Sequence, residues 1–165
     1  MANAVYQKAG TAITWKDSGG DLAITLQNLA FGAGRQGAQK DWGALSTPRP
    51  TKYAWRLKLS FETAPIVGEV VEVYWKGGDG TNYDNDDGTG DIGLSSTDKL
   101  RDLMFLGALV VDEAAADVSM GVSGVFENAD RYGMPVIVNK SAGDNLQNTA
   151  NDASFVVTPI YDEIQ

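Results

Sequence analysis

Residues 53–62, YAWRLKLSFE, decide the fold class because apolar and polar side chains alternate along the whole stretch. A period of two residues predicts a strand that is buried on one face and open to solvent on the other. A second alternating stretch, GEVVEVYWKG at 68–77, follows a turn signal. It places Val71, Val73 and Trp75 on one side, and Glu72, Tyr74 and Lys76 on the other. The two stretches are therefore predicted to pair as an antiparallel meander.

Six further stretches outside this pair have the composition of strands, with β-branched and apolar residues bounded by turn-forming residues. They are TAITW (11–15), LAITLQNLA (22–30), MFLGALVVDE (104–113), DVSMGVSGVFEN (117–128), YGMPVIVNKS (132–141) and ASFVVTPIYDE (153–163). Ser95 and Asp98 form a capping-box pattern that predicts a short helix over about 97–103.

Helical segments are too few for βαβ units, and no repeat of fixed period is present. We therefore expect an all-β fold, a jelly-roll-like antiparallel β-sandwich of about eight strands with one short helix. The 165 residues suit a single domain, 1–165, with an N-terminal arm at 1–11 and an acidic loop rich in Gly and Asp at 77–91.

The segment GAGRQG at 32–37 has the glycine spacing of a dinucleotide-binding loop. A dinucleotide-binding loop also requires a helix after the glycines and an acidic residue about twenty positions later. Gly43, Pro48 and Pro50 exclude the helix, and the later position is Leu57. We expect a mobile or close-packed loop between two strands instead.

The chain has no cysteine and no histidine. Disulfides, thiolate nucleophiles and the serine or cysteine mechanisms that use a histidine base are therefore excluded. No carboxylate pair or nucleophile motif stands out, so we expect a protein that is not an enzyme. The N-terminus lacks an apolar signal region, and no run is long enough to cross a membrane, so synthesis without a signal peptide and no membrane partner are expected.

Charge is distributed unevenly along the chain. The net charge is −9, which argues against nucleic-acid binding. The segment from Arg35 to Lys58, however, contains six basic residues and one acidic residue, so its net charge is +5. This segregation indicates a region that contacts an acidic surface, on another copy or another protein, although a solvated strand face would have the same composition.

The loop 77–91 contains five aspartates and two asparagines. Oxygen ligands at this density suit calcium, but the EF-hand register fails at Tyr83 and Leu94. We therefore expect no metal or other cofactor, and keep an irregular calcium site as a weaker alternative, with candidate ligands Asp79, Asn82, Asp84, Asp86, Asp87 and Asp91. A second hypothesis is that the acidic loop of one copy contacts the basic segment of the next across a rotation axis, through Asp84, Asp86 and Asp87.

Aromatic residues offer a third kind of site. Trp55 and Trp75 lie on the apolar sides of their strands and are predicted to be core residues. Trp42, between Asp41 and Gly43, is the tryptophan expected to be exposed, as an interface anchor or a sugar platform. For contacts with a partner or between subunits, the sequence favours Arg35, Trp42, Arg49 and Lys52, because loop aromatics and arginines dominate interface energies.

Four motifs together resemble a family of small virion structural proteins of tailed bacteriophages. They are Gly34-Arg35-Gln36 before an alternating strand, the strand Val71 to Tyr74, Gly78 to Thr81 after it, and Tyr132-Gly133 before a late strand. The resemblance covers about residues 22–160, and no part of it is catalytic. Residues 83–91 and SSTDKLRDL at 95–103 have no counterpart in it.

The resemblance implies a capsid decoration, or cement, protein on the exterior of the virion. Such a protein binds the major capsid protein at threefold or quasi-threefold sites as a homotrimer, and is made in the host cytoplasm. The alternative is a head-fibre or tail component, or a carbohydrate-binding β-sandwich module, that contacts a host glycan. A hydrolase that uses carboxylates is a third class.

Overall fold

The computed structural model describes residues 5–44 and 49–164, with side chains from 6 to 163. Residues 1–4 of the predicted N-terminal arm lie outside this part. The described chain forms twelve strands and one short 3-10 helix, Thr97–Leu100. The strands are β1 Val5–Ala9, β2 Ile13–Lys16, β3 Leu22–Ala23, β4 Gly34–Gln36, β5 Lys40–Asp41, β6 Lys52–Leu59, β7 Val70–Gly78, β8 Ile92–Gly93, β9 Met104–Val110, β10 Met120–Glu127, β11 Tyr132–Asn139 and β12 Ser154–Ile164.

The strands form two sheets that pack face to face. The first sheet has the order β10-β6-β12-β2-β3, with β1 also paired to β12. The second has the order β8-β4-β11-β7-β9, with β5 also paired to β11. The chain changes sheets between β2, β4, β6 and β7, and again between β9, β10, β11 and β12, which is the winding of a jelly roll. The predicted all-β sandwich is confirmed.

The predicted meander of residues 53–62 and 68–77 is wrong. Strand β6 pairs with β10 and β12 in the first sheet, whereas β7 pairs with β11 and β9 in the second. Alternation shows which side of each strand is buried, but not whether two successive strands lie beside each other or across the core. Here Trp55 and Leu57 face the core from one sheet, and Val73 and Trp75 face it from the other.

Short strands account for the other differences from the predicted elements. Only Leu22–Ala23 of the predicted strand 22–30 is extended in a sheet. Residues Gly34–Gln36, predicted as a loop, form β4 between β11 and β8. Strands of two or three residues are too short to show alternation, and a glycine gives no side-chain signal, so sequence patterns do not reveal them.

Aromatic rings fill the space between the sheets. Trp15 meets Trp75 and Phe155 edge to face, with ring centroids 6.1 Å apart in both pairs. Phe126 also packs on Trp75, with ring centroids 4.9 Å apart. Trp55 and Trp75 are both buried, as predicted. These aromatic rings belong to the main apolar core of this cysteine-free fold.

The strand directions gather four loops at one end of the sandwich, which we call the loop end. These loops are residues 17–33, 60–69, 111–119 and 140–153. Backbone hydrogen bonds cross between them, including Leu146 N to Leu29 O at 3.1 Å, Glu62 N to Asn145 O at 3.1 Å and Asp117 N to Phe61 O at 3.1 Å. The four loops are therefore fixed relative to one another.

At the opposite end, residues 79–103 leave β7 and return to β9; we call this segment the acidic lobe. Its helix is shorter than predicted, and it is a 3-10 helix. Ser96, not Ser95, caps the helix by accepting a hydrogen bond from the Asp98 amide. The Ser95 hydroxyl instead donates to Asp87 at 2.6 Å.

Candidate functional site

The acidic lobe covers part of the outer face of the second sheet. Leu103 packs with Val136 and Val138 of β11 in a small apolar cluster separate from the main core. Tyr74, Leu94 and Leu100 border this cluster. The lobe therefore buries part of the outer side of the second sheet. Apolar burial, as well as charge, holds the lobe to the sheet.

Lys76 lies fully buried beneath the acidic lobe. Its ammonium donates to Gln36 Oε1 at 2.9 Å, to the Gly88 carbonyl at 2.9 Å and to the Asp87 carbonyl. Burial lowers the pKa of Lys76, and the carboxylates of Asp87 and Asp84 partly oppose that shift. Three acceptors match the three donors of an ammonium, so Lys76 supplies an internal cation around which the lobe folds.

The sequence placed Lys76 on the polar side of β7, and this alternation is correct. What the sequence did not indicate is that the polar side is covered. The signal available was the long excursion between two strands that pair with each other, β7 and β9, because such a segment has to lie over the sheet or beyond its end.

Arg35 forms an ion pair with Asp91 within the same chain. The Arg35 Nε lies 2.6 Å from Asp91 Oδ1, and Arg35 Nη2 donates to the Asp91 carbonyl at 3.1 Å. The Thr25 hydroxyl and amide also donate to the Asp91 carboxylate. Burial alone would raise the pKa of Asp91, but the hydrogen bonds from Arg35 and Thr25 hold it below its usual value. Arg35 is thus occupied inside the chain.

The other predicted metal ligands contact different protein groups. Asp79 accepts from the Thr81 and Asn82 amides, and Asp84 accepts from the Gly77 amide. Asp86 forms an ion pair with Lys99. Within residues 5–44 and 49–164, no group of three or more acidic side chains is arranged to hold a metal ion.

Asp84 and Asp130 both approach Gly77. The Asp84 Oδ2 accepts from the Gly77 amide at 2.6 Å, and a side chain at position 77 would overlap Asp130 Oδ2. Burial raises the pKa of Asp130, and the negative charge of Asp84 raises it further. Like charges therefore accumulate where the lobe begins.

Trp42 lies partly buried against the core. Its ring centroid is 4.8 Å from that of Tyr53 and 6.4 Å from that of Trp75. The Lys40 ammonium lies 5.9 Å from the Trp42 ring. Trp42 thus extends the aromatic core toward the end of the sandwich that carries the acidic lobe. Its ring packs on other aromatic rings and is not freely exposed to a ligand.

Arg49 and Lys52, the other predicted contact residues, lie near the same end. Arg49 donates to the Ala129 carbonyl. Lys52 begins β6 and pairs in register with Glu127 of β10. In the described part of the chain, neither Arg49 nor Lys52 forms an ion pair with an aspartate of the predicted interface, Asp84, Asp86 or Asp87.

The outer face of the first sheet carries two cations that form no ion pair with residues in the described part of the chain. Arg56 and Lys58 alternate with buried residues on β6 and are exposed. Their cross-strand neighbours are small: Ser123 and Val156 flank Arg56, and Gly121 and Ser154 flank Lys58. We call Arg56, Lys58 and these four neighbours the basic face.

Three large apolar side chains are exposed on the loop end, and we call them the apolar tip. Phe31 is 55% exposed, Ile66 63% and Val67 58%. Hydrogen bonds fix the backbone around them: Gly32 N donates to Asn139 O at 2.7 Å, and Gly68 N donates to Val111 O at 2.9 Å. Apolar side chains exposed on ordered loops can serve as contacts with a partner.

Comparisons with known proteins identify no family. No family model matches the chain, and no curated protein matches it. Among solved structures, the chain is similar to one described as "EclA C-terminal domain; sugar-binding protein", with a TM-score of 0.30 and 13% identity over 99% of this chain and 79% of that one. A similarity this low does not identify a ligand for this chain. In the described residues, no helix has the length and apolar character needed to span a membrane.

Proposed function

We propose that the protein is a structural component of a tailed-bacteriophage virion, a decoration protein that binds the outer surface of the capsid. The resemblance in sequence motifs is the reason for proposing a virion protein. The apolar tip is the observation that supports binding to another protein. Phe31, Ile66 and Val67 are each more than half exposed, on loops that are hydrogen-bonded to one another.

A pre-ordered apolar surface suits tight binding. Exposed apolar side chains gain free energy when a partner removes them from water. Because the loops are already fixed by hydrogen bonds such as Leu146 N to Leu29 O, little conformational freedom is left to lose on binding. The apolar tip is therefore the surface we assign to the major capsid protein.

Decoration of this kind stabilises a shell by mass action. A protein that binds across the junction of several capsid subunits binds the intact shell and not the separated subunits, so separation also costs the decoration interface. A homotrimer at threefold or quasi-threefold sites would place three apolar tips on one junction.

The alternative, a head-fibre or tail component or a carbohydrate-binding module, depends on an aromatic ring that can stack on a sugar. The residue that the sequence offered for this, Trp42, packs on Tyr53 and Trp75. The rings that are exposed in the described residues are Tyr6, Phe31, Phe105 and Tyr161.

Two binding experiments separate these functions. The purified protein is mixed with capsids of the phage that encodes it, sedimented, and tested in parallel on an array of bacterial surface glycans. We expect co-sedimentation with intact capsids and no glycan signal. Glycan binding without co-sedimentation would contradict the decoration function and support the alternative.

A further inference from the structure

The two outer faces of the sandwich carry opposite charges. The acidic lobe covers the outer side of the second sheet, and the basic face lies on the outer side of the first. Packed sheets are about 10 Å apart, and each face points away from the other. The two charged surfaces therefore cannot neutralise each other within one chain.

The basic face has no counter-charge among the residues that the structure describes. Neither Arg56 nor Lys58 forms an ion pair with any described residue. Their cross-strand neighbours carry no carboxylate, and they are short enough to leave both cations accessible to a flat partner.

The acidic lobe keeps an excess of negative charge after its internal pairs are formed. Residues 79–103 contain seven aspartates, and Lys99, Arg101, Arg35 and Lys76 supply four cations in or against the lobe, which leaves −3. Asp86 and Asp98 have side chains that are 81% and 74% exposed. Asp102 is exposed and forms no ion pair in the part of the chain that is described.

We propose that copies of this chain associate head to tail, with the basic face of one copy against the acidic lobe of the next. The occupant is a second copy because the complementary charge is present on the same molecule, on the opposite face. Two different surfaces in contact make a heterologous interface, which closes into a ring when the rotation between copies allows it. This inference rests on the proposed decoration function, for which the ring would present several apolar tips to one capsid junction.

Most of the lobe, residues 83–91 and 95–103, has no counterpart in the resemblance to virion proteins. Lys76 and Arg35 bond it to the second sheet. A fixed lobe offers its outward aspartates at defined positions, which is what a specific contact between copies needs.

The test is a charge swap measured by light scattering at low and high salt. Variants R56E/K58E and D98K/D102K each place like charges at the contact, and the fourfold variant R56E/K58E/D98K/D102K restores opposite charges with reversed sign. We expect wild type and the fourfold variant to associate at low salt and dissociate at high salt. Each double variant should associate about 100-fold more weakly.

A matched control reverses two charges elsewhere. Lys8 lies on β1 and Lys140 follows β11, so K8E/K140E changes the net charge as much as R56E/K58E does and substitutes no residue of the basic face or of the acidic lobe. Circular dichroism and thermal melting confirm that every variant folds. We expect K8E/K140E to associate as wild type does.

The outcomes distinguish this inference from the proposed function. Wild type that is monomeric at low salt at all protein concentrations, or an oligomer that neither double variant weakens, would overturn the head-to-tail contact. If such a monomer still sediments with capsids, the decoration function stands and only the contact between copies fails. An oligomer that obeys the charge swap but does not bind capsids supports the contact and contradicts the function.

Discussion

Arg35 of β4 and Asp91 of the acidic lobe form an ion pair with 2.6 Å between Nε and Oδ1, and they come from the two oppositely charged segments of the sequence. The sequence hypothesis assigned such pairs to the interface between copies. In the structure this one closes within a chain and ties the lobe to the second sheet. Of the basic residues that remain in this segment, Arg56 and Lys58 are exposed on the other sheet and form no ion pair with a described residue.

Asp91→Asn should destabilise the protein by about 2 kcal/mol at about pH 7, because it weakens a partly buried charge-assisted contact. The pKa of Asp91 is below its usual value in the folded protein, so the folded state binds this proton less readily than the unfolded state. The stabilisation is thus fully present above about pH 4 and is lost as the pH falls further. Urea unfolding of wild type and Asp91→Asn measures the difference in their free energies of unfolding. We expect this difference to be smaller at about pH 3 than at about pH 7, and a difference that does not vary with pH would be the contrary result.

Lys76→Met should loosen the acidic lobe. The change leaves Gln36 Oε1 and the Asp87 and Gly88 carbonyls without their donor, at a cost of about 3 kcal/mol. Amide hydrogen exchange in residues 84–90 should rise, while exchange in β6 and β12 stays slow. Lys140→Met is the control, because Lys140 is partly exposed and lies 3.8 Å from Glu72. Equal protection of the lobe in wild type and Lys76→Met would refute the role of the internal cation.

Gly133→Ala should destabilise the protein by about 1–3 kcal/mol, since a methyl group at this position would overlap the Trp75 ring. Gly143→Ala provides the comparison, because nothing lies within 4 Å of its methyl position. We expect that change to be neutral or slightly stabilising. Thermal melting of the two variants measures the contrast, and equal melting temperatures would argue against the packing of β11 on Trp75.

Trp42→Ala should cost about 3 kcal/mol of stability, because the Trp42 ring contributes to the packing of Tyr53 and Trp75. Trp42→Phe should recover most of this loss. Chemical denaturation provides the measurement. A Trp42→Ala variant as stable as wild type would mean that the ring is free for a ligand, which would favour the glycan alternative.

The sequence was sufficient for the fold class because most long strands alternate clearly. In β6, Tyr53, Trp55 and Leu57 face the core as their spacing predicts. Alternation does not show whether two successive strands pair in one sheet or lie in two sheets across the core. The prediction that β6 and β7 pair was therefore wrong. Gly34–Gln36 was assigned to a loop, since a three-residue strand that begins with glycine has no periodic signal.

The candidate site was harder to predict because it depends on what covers each surface. Periodicity correctly placed Lys76 on the polar side of β7, yet the lobe buries it. Trp42 has polar and glycine neighbours in sequence, but the fold brings it onto Tyr53. The sequence does not indicate the apolar tip, since Phe31 lies in one loop and Ile66 and Val67 lie in another, and only the jelly-roll winding brings these two loops to one end.

Capsid binding by a matched pair of phenylalanine variants tests the central claim most directly. Phe31 in the apolar tip and Phe105 on β9 are 55% and 56% exposed, so Phe31→Ser and Phe105→Ser remove similar apolar surfaces from different places. We expect Phe31→Ser to weaken co-sedimentation with intact capsids by about tenfold or more, and Phe105→Ser to bind as wild type does. Equal binding of both variants, or no binding by wild type, would contradict it.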